Sequence, residues 1–412
     1  MRRTKDSAAL RKALSIVVAL VGVLCMFFSP VRAQTEALPE AISAGVDHLM
    51  GLAQGESTFE PKAVAPLIAY VASEKPQDAG LHTGEWQGMP SAYCEFDLPR
   101  DLQTVLRYAY HPDIPNNVFR PTSIRLTQWL EVDEKENRSL PTLWAHLPSL
   151  ESPVVVTGVE REESTPELAT GACYGYTLDR ALVLFRLGEQ NVFISVSKQR
   201  GKSDKGKKGA SLGGDKNWDY VYTGEDGLTR AGLGWADTHI YESASIAVFY
   251  ESDPALPRVR CGVFKWIQAG WAGFNMVEPR HIRRGLERYA QGFRETLEHP
   301  RLPDPDRLVR LFDWVRALPQ KALSAKVNDY LQGLGTRYAE EKVLSKPCFE
   351  ELIEQGDYAG RMNRVQMESL VALESMKWAL GRHTVLGEAF RLAPDPRVRR
   401  VSQKSSLPCR LN

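Results

Sequence analysis

The chain has 412 residues, enough for two or three domains with sizeable cores. Its 52 basic and 51 acidic side chains nearly cancel, which gives no support to a nucleic-acid or anionic-membrane role. Six cysteines without a C-x-x-C pair signal neither a zinc ribbon nor a thioredoxin-like site.

Residues 1–33 read as a signal peptide. Arg2, Arg3, Lys5, Arg11 and Lys12 precede an apolar run from Leu14 to Phe28, and small residues around Ala33 suit cleavage there. The mature chain would then start at Gln34 with a formal charge of −4, exported to the periplasm or secreted. Cys94, Cys173, Cys261, Cys348 and Cys409 would remain, with room for at most two disulfides and no pairing fixed by the sequence.

Residues 34–84 read as an N-terminal helical arm. Ile42, Val46, Leu49, Met50 and Ala53 recur at helical spacing, as do Val64, Leu67, Ile68 and Val71, and Glu74–Met89 has no period. A strand is expected over Ala92–Leu98, then a helix with Asp97 as cap and Pro99 in its first turn. Strands follow over Thr122–Val132 and Pro153–Glu160, with Leu140–Leu150 between them as a short helical turn. Arg180–Leu187 and Asn191–Gln199 flank Gly188-Glu189-Gln190 as a hairpin.

Arg200–Trp218 reads as a long, solvated Gly/Lys loop. Its Gly201-Lys202-Ser203-Asp204-Lys205-Gly206-Lys207-Lys208 nearly matches a phosphate-binding loop. Lys208 stands where the magnesium-holding Ser/Thr belongs, and nothing after it starts a helix. A transient contact with anionic headgroups through Lys198–Lys208 is the membrane role left open.

Thr238–Glu251 and Arg258–Gln268 end the strand series. In the latter, Val259, Cys261, Val263 and Ile267 share one face, and Gly262, Phe264, Trp266 and Gln268 the other. A Gly/Trp turn then leads into helix 279–298, whose stripe is Ile282, Leu286, Tyr289, Ala290, Phe293 and Leu297. Residues 301–392 read as an all-helical domain, and 393–412 as a loose tail.

The order over 91–299 is strand, helix, antiparallel strands and a long closing helix. It resembles the START-like helix-grip superfamily, above all in the last strand, the Ala269-Gly270-Trp271…Asn275 turn and helix 279–298. The resemblance implies an α+β fold: a curved antiparallel sheet closed by that helix over 85–300, with added helical segments at both ends. It also implies a hydrophobic cavity between sheet and helix.

The expected function is an exported binding protein for an apolar ligand such as a lipid, with Trp235, Tyr241, Phe264, Trp266 and Phe293 as lining residues. Two other readings stand beside it. Asp237 and His239, two apart on one strand, could work as an acid/base pair, although no nucleophile is signalled. The C-terminal helices could instead bind a protein partner. No histidine spacing suits a metal, and no motif implies a cofactor.

Overall fold

A computed structural model describes residues 39–73, 85–136, 139–230, 236–253, 256–390 and 393–394. The signal-peptide reading of residues 1–33, Trp235, Cys409 and most of the 393–412 tail lie outside the described residues. The described residues form one compact unit of α+β class.

Helices α1 (Glu40–Ala53) and α2 (Pro61–Ala72) come first, then strand β1 (Ser91–Leu98) and helix α3 (Leu102–Ala109). The cap of α3 is Asp101, not Asp97: its carboxylate accepts a 2.6 Å hydrogen bond from the Thr104 amide. Asp97 lies on β1 and pairs instead with Arg258 at 2.6 Å and Arg260 at 3.0 Å.

The large sheet is built from β1, β2 (Ile124–Val132), β3 (Lys135–Glu136), β4 (Val154–Ser164), β6 (Gly175–Leu187), β7 (Gln190–Gln199), β10 (Thr238–Asp253) and β11 (Arg258–Trp271). A short β12 (Phe274–Asn275) folds back on β11. The order is β1-β11-β10-β7-β6-β4-β2-β3, antiparallel throughout and not closed into a barrel. Gly188, at φ +63°, makes the tight β6–β7 turn that its sequence signals.

Period-two alternation divides the sheet's two faces between two cores. One face presents Val183, Phe185, Ile194, Val196, Ile246, Val248, Phe264 and Trp266 to α1 and α2. Gly262 lets α2 approach on this side: a Cβ there would lie 2.6 Å from Val71 and 2.8 Å from the Tyr93 hydroxyl. The opposite face presents Leu182, Leu184, Phe193, Phe249, Val259, Cys261 and Val263 to helix α4 (Pro279–Leu297) and to α3. On α4, Ile282, Leu286, Ala290, Phe293 and Leu297 are all buried, as the stripe requires.

The segment read as a mobile Gly/Lys loop is instead ordered. It contains β8 (Lys207–Leu212), which with β5 (Ala172–Cys173) and β9 (Asp219–Asp226) makes a second, three-stranded sheet. Small side chains at Gly209 and Ala210 hide the usual strand signature, and pairing to β9 supplies the order. Three of its basic groups are engaged by carboxylates, Arg200 by Asp179, Lys205 by Asp237 and Lys208 by Glu225, as is Lys198, just before it on β7, by Glu242.

Helices α6 (Gln320–Arg337) and α7 (Pro347–Gln355) pack on this second sheet, α8 (Arg364–Leu380) packs on β2, and α5 (Pro305–Arg316) packs on α8. Tyrosine hydroxyls fix the contact. Tyr330 donates to the Tyr220 carbonyl at 3.1 Å, Tyr358 accepts from the Tyr222 amide at 2.9 Å, and Tyr338 donates to Asp219 at 2.6 Å. Helix α8 ends at Gly381, whose φ of +69° suits the left-handed cap position.

Candidate functional site

The residues expected to line one ligand pocket do not converge. Phe264 and Trp266 are buried against α1 and α2, whereas Phe293 is buried on the opposite side of the sheet, near Phe96, Phe249 and Tyr289. Tyr241, on β10, accepts a hydrogen bond from the Gly273 amide at 2.9 Å and so braces the β11–β12 turn.

Asp237 and His239 are not joined by a hydrogen bond either. The exposed Asp237 carboxylate binds Lys205 at 2.7 Å, and that bond holds its pKa below the usual range. His239 places Nδ1 3.0 Å from the Ser203 carbonyl oxygen. This geometry orders the 200–206 segment.

The α4-facing side of the sheet carries a polar floor. Strand register aligns Lys265 on β11 with Ser245 on β10, Ser245 with Ser197 on β7, and Ser197 with Arg180 on β6. Directly opposite residues on antiparallel strands share a face, so these four side chains form one row across four interior strands. Glu160 and Glu162 extend it onto β4, and Ser195, Gln199 and Ser243 flank it; these five side chains are all buried.

Part of the network is satisfied. Arg120, which follows the 116–119 turn, pairs with Glu162 at 3.1 Å and donates to Asn116 at 3.0 Å. Tyr176 donates to the other Glu162 oxygen at 3.3 Å, and Arg180 donates to Ser195 at 3.0 Å. Part is not. Arg180 Nε lies 3.0 Å from Glu160 Oε2 but misaligned, so neither atom has a hydrogen bond, and the buried Arg120 Nη2 has no acceptor. The Lys265 ammonium, among the described residues, has no hydrogen bond or ion pair. Buried polar groups left this way are costly in a folded core and mark places built for something besides packing.

Charge states follow the surroundings. Burial pushes the Glu160 carboxyl up. Burial acts the same way on Glu162, but Arg120 and Arg180 outweigh it and hold that carboxyl below its ordinary value. Burial lowers Lys265 to about 8, against the pull of Glu162 and with help from Arg180 and Arg120. Two carboxylates pushed apart and a depressed lysine on one face of the sheet are an electrostatic pattern found in functional sites.

The floor is not fully covered on β10 and β11. Ser245, Ala247, Lys265 and Ile267 are partly accessible, although β10 and β11 are interior strands facing α4. Farther along the sheet, at β2, a cleft of about 340 Å³ opens between β2, the 110–117 segment and helices α5 and α8. Tyr110 and Trp129 wall this cleft and also touch the network: Tyr110 packs edge-on at 4.5 Å to Phe193, and Trp129 lies opposite Glu160. The described residues contain no cluster of ligating side chains suited to a metal ion.

Little of the floor is signalled by any motif. The available clue is alternation: in Asn191–Gln199, Ser195, Ser197 and Gln199 share one face of a strand whose other face is Val192, Ile194 and Val196. Among known proteins, the chain matches no protein-family model and no curated relative.

Proposed function

We propose that this is an exported binding protein that holds a small amphipathic molecule between the large sheet and α4. The resemblance of 91–299 to the helix-grip superfamily and the export-type sequence of residues 1–33 support that reading. The observation that carries it is the polar row Lys265–Ser245–Ser197–Arg180, laid across a face otherwise built of Phe193, Phe249, Val263 and Phe293. The row and its surroundings suit an anionic head, since Lys265, Arg180 and Arg120 face Glu160 and Glu162, and the aromatic residues suit an apolar body.

Native mass spectrometry and titration calorimetry with a medium-chain alkyl carboxylate test this, with the corresponding alkyl alcohol as control. Binding of the carboxylate should weaken at least about tenfold in Lys265→Met, as expected for loss of one charge-assisted contact. Failure of the native protein to bind any alkyl carboxylate would remove the proposal.

The opposed pKa shifts of Glu160 and Glu162 favour one further reading, general acid/base catalysis on the bound ligand. A Glu162→Gln protein that kept full activity on any substrate found by screening would exclude it.

A further inference from the structure

A second cleft, of about 570 Å³, lies where α3, the end of α4 and the first turn of α5 meet. Arg100, Arg107, Arg307 and Arg310 line it, and Asp304 and Asp306 are its only acids. Elsewhere this protein pairs its arginines closely: Arg288 holds Asp215 through two 2.7 Å bonds, and Arg260 holds Asp97 at 3.0 Å. In the cleft the Arg107–Asp306 contact, at 3.9 Å, is longer than a charge-assisted hydrogen bond. Arg310 makes no side-chain hydrogen bond or ion pair among the described residues.

The rest of the lining consists largely of donors. Arg100 is fixed by donating Nε to the Leu297 carbonyl at 3.2 Å and Nη1 to the Pro99 carbonyl at 3.1 Å, and Nη2 has no acceptor among the described residues. His299 Nδ1 accepts from the Arg301 amide at 3.1 Å, so neutral His299 carries its proton on Nε2. Burial, together with Arg382 and Arg301, lowers the His299 pKa and favours that neutral form. Thr104 adds a hydroxyl.

We propose that this cleft binds a phosphomonoester, with Arg107 and Arg310 closing on its oxygens. Planar guanidinium groups match tetrahedral oxyanions through paired N–H donors, and four arginines against two aspartates leave a net positive lining. The volume exceeds that of a lone phosphate, so the group would arrive on a larger molecule, either a soluble phosphate ester or a lipid headgroup.

The experiment uses the full chain and the double variant Arg107→Ala/Arg310→Ala. Glycerol phosphate is titrated by calorimetry, and flotation is measured with phosphatidylcholine vesicles with and without phosphatidic acid. Arg310 is exposed and Arg107 half-buried with no hydrogen bond, so the variant's melting temperature should match the native protein's and exclude misfolding. The expected result is binding of at least one probe, weakened about tenfold or more in the variant. Response to glycerol phosphate assigns a soluble ester, and flotation only with phosphatidic acid assigns a headgroup. Equal binding by variant and native protein, or no binding of either probe by the native protein, overturns the proposal. Neither result depends on the polar floor, because Lys265→Met leaves this cleft untouched.

Discussion

Phe293 and Trp266 are both fully buried aromatic residues, one on each face of the same sheet, and only the first adjoins the proposed ligand space. Replacing either with Ala deletes a large core side chain, which costs about 3–5 kcal/mol through lost transfer energy and the cavity left behind. Phe293 also stands within 6.2 Å of Phe96, 6.1 Å of Phe249 and 5.6 Å of Tyr289, ring contacts that place its loss toward the upper end. Unfolding entropy grows by about 2.1 cal/mol/K per residue, so in a compact unit of this length the change lowers Tm by only about 4–6 °C. Both variants should therefore remain folded at 25 °C. Calorimetric melting gives the stability change, and titration with the alkyl carboxylate gives the functional one. Phe293→Ala should reduce ligand affinity beyond its effect on stability, and Trp266→Ala should leave affinity unchanged. The opposite pattern would refute the assignment of the ligand to the α4 side.

Lys377→Met should destabilise by about 3–5 kcal/mol, because it leaves the buried Asp219 and Glu374 carboxylates without their shared cation; denaturant melts check this. Lys265 behaves differently with pH. Its folded pKa of about 8 lies below the ordinary 10.5, so the unfolded chain binds more protons between those values and stability rises with pH across that window. The Tm advantage of Lys265→Met over the native protein should therefore shrink from pH 8 towards 10.5; a constant difference would mean the lysine is not desolvated. Gly262→Ala should cost about 1–3 kcal/mol by overpacking against Val71 and Tyr93, and a neutral result would mean α2 does not sit against β11.

Helix α4 was readable from its stripe alone, because one apolar face against one charged face leaves a single way to bury it. The same holds for β11, whose two faces separate into the two cores. The second sheet was not readable in its β8 strand, since Lys207, Lys208 and Gly209 have poor strand propensity and order there comes from pairing with β9. The alternation of Tyr220, Val221 and Tyr222 in β9 was a signal that composition around it obscured. The polar floor was hidden for another reason. Its members lie far apart in sequence, from Arg120 to Lys265, and each looks like an ordinary polar interruption until strand register brings them into one row. Conversely, Asp237 and His239 are neighbours in sequence with a motif-like spacing, yet each is drawn to a different partner.

Two lysines placed inside the same protein show why the floor is more than packing. Lys377 has no accessible surface and is met by both Asp219 and Glu374. Glu374 in turn accepts from the Thr384 hydroxyl and, at 3.0 Å, from the Val385 amide. Every charge there has a fixed partner, so the group locks α8 to the second sheet and has no capacity left for a ligand. Lys265 sits among Arg180, Arg120 and a Glu162 already claimed by Arg120 and Tyr176, and among the described residues its ammonium has no partner of its own. Burial depresses its pKa, so holding it there works against the fold. Methionine at this position would pack with less penalty. A chain that satisfies one interior lysine completely and leaves the other open and partly accessible has separated a structural charge from one available to bind. The open lysine is where a ligand's anionic group should be sought first.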